Sequence, residues 1–237
     1  MLTRVFVTGT DTAVGKTVVS RALLQALSQN GRTAVGYKPV ATESQETPDG
    51  LRNQDALILQ ASSSIEVDYQ EVNPYPLAGD VIHACSGTLI NYNKMTEGLR
   101  QLATKADTVV VEGCGGWKVM MNDQRFYSDW VVQEQLPVIL VVGIKLGCIN
   151  HALLTAQAII NDGLPLLGWV ANRINPGLAH YAETIAIARS SLSKFFSTRL
   201  FTLLRRRWVS SHCCWLWRAC SFDIGSLFPP TETQVLP

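Results

Sequence analysis

The stretch TRVFVTGTDTAVGKT, residues 3–17, decides the fold. Its first six residues, Thr3 to Thr8, carry the unalternated apolar run Val5-Phe6-Val7 and read as a buried strand. Gly9 to Thr17 then forms a turn that ends in Gly15-Lys16-Thr17. The next residues carry apolar Val18, Val19, Ala22, Leu23, Ala26 and Leu27 at helical spacing, and Asn30-Gly31 closes the helix Lys16–Gln29. Strand, glycine turn and helix in that order make a phosphate-binding loop. Backbone N–H groups wrap phosphate oxygens at the positive end of the helix. Lys16 supplies charge to the terminal phosphates and the Thr17 hydroxyl suits Mg²⁺. The usual G-x-x-x-x-G-K-[ST] spacing is varied here. Thr10 stands at the first glycine place, and Gly9 lies one residue earlier.

Further unalternated strands follow at Thr33–Tyr37, Thr108–Val111, Leu136–Val142 and Leu166–Ala171. Helical patterns lie between them, one starting near Asp55 and others at Lys94–Thr104 and Asn150–Asn161. This alternation predicts an α/β fold, a P-loop NTPase-like parallel sheet with helices on both faces. Residues 41–53 read as a loop, and residues 62–92 give no regular pattern. Ligands of such sheets collect at the carboxyl ends of the strands, where Thr8, Lys38, Glu112 and Asn172 fall. Glu112, followed by Gly113, reads as a metal ligand or as a surface glutamate. Asp55 alone reads equally as a helix cap. Lys38, stiffened by Pro39, either holds a second anion or nucleophile or is simply solvated.

Composition sets outer bounds. The chain has 237 residues, 47% hydrophobic and 16% charged, with a net charge of +1. Bulk charge therefore predicts no nucleic-acid partner and no membrane partner. The most apolar stretch, Leu136 to Ile144, is far shorter than the ~20 residues a spanning helix needs. Thr8-Gly9-Thr10 interrupts the N-terminal apolar run, so no signal peptide is expected. The six cysteines form no C-x-x-C pair, which argues against zinc and for free thiols in a cytoplasmic protein. The four histidines show no triad or ligand spacing.

Seven blocks in order resemble the dethiobiotin synthetases, and within them a second, paralogous branch. They are TGTDTAVGKT (8–17), GYKPV (36–40), TPDGLRNQDA (47–56), VEGCGGW (111–117), DWVVQEQLPVIL (129–140), KLGCINHALLTAQ (145–157) and GWVAN (168–172). The resemblance covers residues 3–187 and implies a cyclo-ligase that uses ATP and Mg²⁺. That reaction closes 7,8-diaminononanoate with CO₂ into the ureido ring of dethiobiotin, in biotin biosynthesis. It implies Lys38, Lys16 and Thr12 as catalytic residues. The nucleotide would be held by Ala13, Val14, Gly15, Lys16, Thr17, Val18, Asp55, Glu112, Gly113, Cys114, Gly115, Asn172 and Arg173. Thr17, Asp55 and Glu112 resemble the Mg²⁺ ligands. Thr42 and the helix start Cys148-Ile149-Asn150 resemble the substrate contacts, the latter across a homodimer interface. Ala13 departs from members with a glutamate there, Thr42 from those with serine, and Cys114 from those with alanine. The alternative activities are a partner-regulated P-loop ATPase switch and a degraded paralogue of low activity. The switch type carries an extra lysine before a Gly-Gly pair, where this chain has Thr10-Asp11-Thr12.

Residues 188–237 read differently. From Arg189 on they hold six Arg and one Lys against one Asp and one Glu, a net of +5, so the first 188 residues carry −4. Three of the six Trp and three of the six Cys lie there. The family continues past this point with a strand and a Pro-containing loop over the purine, and no such segment is legible here. The expectation is a synthetase domain over 1–187 whose sheet lacks its last strand, followed by an atypical tail, as after a shifted reading frame. A basic aromatic membrane-surface patch and a nucleic-acid patch are the functional readings of that tail.

Overall fold

A computed structural model describes residues 3–79, 90–122, 125–175, 177–195 and 200–204. Six strands form one parallel sheet: β1 (Arg4–Gly9), β2 (Ala34–Tyr37), β3 (Thr108–Glu112), β4 (Val138–Gly143), β5 (Leu166–Asn172) and β6 (Leu200–Leu204). Their order across the sheet is β6-β5-β4-β1-β3-β2. The described helices of four or more residues are α1 (Lys16–Gln29), α2 (Gln54–Ser62), α3 (Tyr69–Val72), α4 (Tyr92–Lys105), α5 (Tyr127–Gln133), α6 (Cys148–Asn161) and α7 (Tyr181–Leu192).

The central strands are apolar because both their faces are covered. β3 and β4 are buried at every position, and β1 at all but Arg4. α1 buries Val19, Leu23, Leu24 and Leu27 on one stripe, the spacing expected of a helix lying on a sheet. Trp117, Trp130 and Trp169 all enter the core, and Phe6 meets Trp117 and Tyr127 edge-on.

Three expectations are corrected. The loop at 41–53 contains an antiparallel pair, Gln45–Thr47 against Gly50–Arg52. The unpatterned stretch at 62–92 contains α3, which is too short for a periodicity to register. The sheet also has a strand after residue 187. Helix α7 runs through that point with Ala188 and Leu192 buried, and β6 pairs parallel with β5 from Gly168↔Leu200 to Asn172↔Leu204. The Arg and Trp content of the sequence around 189–208 hid this continuation. Residues 205–237, where most of the expected tail lies, are outside the described residues.

Strand order fixes where a ligand sits. The chain moves from β1 to β2 on one side and later from β4 to β5 on the other, so β1 ends at the switch between them. The glycine loop leaves the sheet there. Register then sets its neighbours. Tyr37 of β2 lies beside Val111 of β3, so the residues that follow, Lys38 and Glu112, emerge side by side.

Candidate active site

A cleft of about 1010 Å³ opens above the carboxyl ends of β1, β2 and β3. Thr12, Ala13, Gly15, Lys16, Thr17, Val18, Lys38, Thr42, Asp55, Cys114 and Gly115 all line it. Eleven residues singled out from the sequence, nine of them in four of the quoted blocks, therefore meet in one place.

The loop conformation explains its glycines. Gly15 caps α1 with φ +93°, and a Cβ there would lie 2.0 Å from the Asn172 Nδ2. At Gly9 a Cβ would meet the Val14 side chain at 2.6 Å, because the loop folds back over that residue. This accounts for a glycine one place earlier than usual. Asn172 secures the fold-back by donating from Nδ2 to the Val14 carbonyl at 2.8 Å.

Lys16 is buried and donates to the carbonyls of Asp11 at 3.0 Å and Gly115 at 2.7 Å. Burial, and then the nearby Lys38 ammonium, push its pKa below the ordinary lysine value. Lys38 is also buried. Its Nζ donates to Glu112 Oε1 at 2.6 Å and stands 3.2 Å from Asp55 Oδ2. Burial alone would lower Lys38, but the Glu112 and Asp55 carboxylates outweigh it and hold the ammonium above its ordinary value. So both lysines lie in one cleft, and the second is fixed as a cation. The solvated alternative for Lys38 does not hold.

Glu112 is fully buried, and its Oε1 also accepts from the Thr17 hydroxyl at 2.9 Å. Its Oε2 is buried with no hydrogen-bond partner. A buried carboxylate oxygen left in this way is costly unless something else meets it. Asp55 is in the first turn of α2, but Asn53 is the cap and accepts from the Ala56 N–H at 3.1 Å. Asp55 is thus free of the capping role and faces Lys38.

Other sequence-chosen residues lie elsewhere. Val14 is buried under the loop, and Gly113 offers its carbonyl to Lys38 at 3.4 Å. Asn172 and Arg173 are at the end of β5 on the far side of the loop, with the Arg173 guanidinium over the Tyr181 ring at 5.0 Å. Cys148, Ile149 and Asn150 begin α6 and do not line this cleft.

The sequence reading missed several residues. Arg21, Arg52 and Asn53 line the cleft as well. Asp11 accepts from Lys145 Nζ at 2.7 Å and from the Thr12 N–H at 2.8 Å, which pins the loop to the turn after β4. The Lys145 hydrogen bond, then the Thr12 amide, hold the Asp11 carboxyl below its usual range. An acidic residue inside a phosphate loop was a usable signal, since only a local cation makes it tolerable there.

Comparisons with known proteins agree with this geometry. A family model described as an AAA domain matches residues 3–205. A protein of Yersinia pestis named ATP-dependent dethiobiotin synthetase BioD 2 is 90% identical over 193 residues, 81% of this chain and 87% of that one. The Escherichia coli (strain K12) protein of the same name is 65% identical over 195 residues, 81% of this chain and 83% of its own. Among solved structures, the septum site-determining protein MinD of Pyrococcus horikoshii OT3, complexed with Mg-ADP, superposes with a TM-score of 0.53 at 17% identity. That match covers 87% of this chain and 82% of the other. The MinC:MinD cell division complex of Aquifex aeolicus gives 0.54 at 13%, over 86% and 82%. At such identities the likeness is one of fold.

Proposed function

We infer from membership of the dethiobiotin synthetase family, to which this chain belongs, that it is an ATP-dependent cyclo-ligase of biotin biosynthesis. It closes 7,8-diaminononanoate with CO₂ into the ureido ring of dethiobiotin, at the expense of ATP. The observation that carries the reading in this chain is the pair of buried lysines in one cleft, Lys16 on the phosphate loop and Lys38 opposite it. A P-loop switch carries its extra lysine inside the loop, where this chain has Thr10-Asp11-Thr12, and calls for none at the Lys38 place. The partner-regulated switch has a likeness of fold in its favour, whereas the synthetases share most of the sequence.

The reaction joins an amine nitrogen to CO₂ with loss of a proton, giving a carbamate. A carbamate oxygen then bonds to the γ-phosphorus of ATP, and the bond to ADP breaks. The second amine attacks the carbamoyl carbon and gives up a proton, and phosphate leaves with the shared oxygen. Every stage carries anionic oxygen. Lys38, kept protonated by Glu112 and Asp55, faces the carbamate. Lys16 exchanges two backbone carbonyls for phosphate oxygens, at the amino end of α1. The Thr12 and Thr42 hydroxyls lie on the walls between them and suit the substrate's polar end.

We assign Mg²⁺ to Thr17, Asp55 and Glu112. A hydroxyl and two carboxylates suit a hard cation, and the partnerless Glu112 Oε2 fits such a site. The ion would supply charge neutralisation at the phosphates. Asn172 and Arg173 are assigned to the base end of the nucleotide. The start of α6, with Cys148, Ile149 and Asn150, is assigned to the substrate carboxylate of a second protomer, so the working unit is a homodimer. Leu146, almost fully exposed beside that helix start, and Leu154 on its first turns are consistent with such an interface. Among the described residues no helix is long and apolar enough to cross a membrane. We read the enzyme as cytoplasmic, with Cys114 and Cys148 as buried thiols outside any disulfide.

The test is phosphate release by the purified chain. It should need diaminononanoate and bicarbonate together. ATP turnover indifferent to both would refute the reading, and no turnover under any condition would favour the degraded paralogue.

A further inference from the structure

A chain of buried hydrogen bonds runs behind the substrate wall of the cleft. The Asn73 Nδ2 donates to the Lys38 carbonyl at 2.6 Å, and Asn73 Oδ1 accepts from the Tyr69 hydroxyl at 2.9 Å. The same hydroxyl accepts from the Asn53 N–H at 2.7 Å, and Asn53 Nδ2 donates to the Thr42 carbonyl at 2.8 Å. The Lys38 N–H itself donates to the Val72 carbonyl at 2.8 Å. Asn53, Tyr69, Asn73 and Lys38 are all buried. Each polar group named is satisfied, so the network has one low-energy arrangement.

The elements it joins are those the reaction needs in register. Asn73 holds the backbone of Lys38, Asn53 caps the helix that carries Asp55, and Thr42 follows on the next loop. The Tyr69 hydroxyl joins the Asn53 arm of the network to the Asn73 arm, and Asn73 carries it on to Lys38. Its outer face is covered by the Arg52 guanidinium, 4.3 Å from the ring centroid. Burial raises the phenol's pKa, so it keeps the proton it donates to Asn73. Neither Tyr69 nor Asn73 lines the active-site cleft, although their partner Asn53 does.

We propose that Tyr69 and Asn73 are positioning residues for ring closure, holding the Lys38 backbone in register with the Thr42 loop through one buried hydroxyl. The proposal rests on the synthetase reading. It requires that the network tune the substrate side of the cleft and leave the phosphate loop alone, since no bond in it reaches residues 9–17.

Tyr69→Phe removes the hydroxyl and keeps the ring. Kinetics are measured per folded molecule, the folded fraction being taken from a thermal melt. The expected result is a kcat about tenfold lower and a KM for diaminononanoate several-fold higher, with the KM for ATP within about twofold, because small misplacements of a reacting group cost this much. Asn73→Ser should give the same pattern, and the double variant should be no worse than the poorer single, since one chain of contacts is broken twice. Values of kcat and diaminononanoate KM within twofold of the parent would overturn the proposal, whatever the melting temperature. Additive effects of the two substitutions, or an equal rise in the KM for ATP, would overturn it too. If the parent chain itself turns over ATP without regard to diaminononanoate, the synthetase reading falls and this assignment with it.

Discussion

Replacing Glu112 by glutamine tests the electrostatics of the site directly. The carboxylate is fully buried and stands 2.6 Å from Lys38 Nζ, itself only 3% exposed. At an effective dielectric of about 20 the attraction is roughly 6 kcal/mol, and desolvation of both ions offsets much of it. Removing one partner of such a pair destabilises by about 3–5 kcal/mol, because the other charge stays buried. Asp55 remains 3.2 Å from Lys38, with its side chain 44% exposed, so the lower end of that range applies. Glutamine keeps an acceptor for the Thr17 hydroxyl, so that bond need not be lost. A loss of about 3 kcal/mol in a chain of this size lowers Tm by roughly 6–12 °C. The assay is a thermal melt of Glu112→Gln, Lys38→Met and the double variant. The double variant should lose less than the two singles together, because neither charge is then left alone. A Tm for Glu112→Gln within a degree or two of the parent, or strict additivity, would refute the account of Lys38 as a cation held by Glu112.

Gly15→Ala should weaken ATP binding by about 30- to 140-fold. A left-handed alanine and the lost Asn172–Val14 bond together cost roughly 2–3 kcal/mol. Calorimetric titration with ATP reads this, and affinity within threefold of the parent would contradict the clash with Asn172. Asp11 titrates below its ordinary value of 3.8, so its contribution to stability is present above that value and fades as pH falls through the folded one. The urea stability of Asp11→Asn should therefore lie below the parent's at pH 6 and converge with it on acidification. A gap that stays constant down to pH 2 would exclude the Lys145 and Thr12 hydrogen bonds as its source.

The sheet was readable because burial on both faces writes itself as unbroken apolar runs. β1, β3 and β4 fall within two residues of their expected bounds, and α1 matches at both ends. The phosphate loop was readable because its function constrains adjacent residues. The rest of the cleft comes from register and tertiary hydrogen bonds, which leave no local pattern. Nothing near Tyr69 marks it as the partner of Asn53, and Asp55 looked like a cap until Asn53 was found in that role. The family resemblance supplied Asp55 and Glu112, where residue reading left two alternatives at each. β6 escaped notice because one edge strand of five residues, set among arginines and aromatics, has no periodicity long enough to recognise.

The fold is shared with MinD, so the chemistry must come from what the strand ends carry. Here the decisive feature is the alignment of β2 with β3. Because Tyr37 pairs with Val111, the first residue beyond β2 meets the last of β3, and Lys38 and Glu112 share a hydrogen bond. A slip of one residue between these strands would turn one of the two side chains to the opposite face and leave the other buried and unpaired. The full burial of β3 makes such a slip expensive, since it would also send its valines to the wrong side. The charge pair and the apolar core therefore enforce one register. The same register sets Glu112 beside Thr17, because Val7 of β1 lies opposite Glu112 and the loop to Thr17 begins two residues later. The meeting of the Lys38 ammonium, the Glu112 carboxylate and the Thr17 hydroxyl is thus a consequence of how three adjacent strands align.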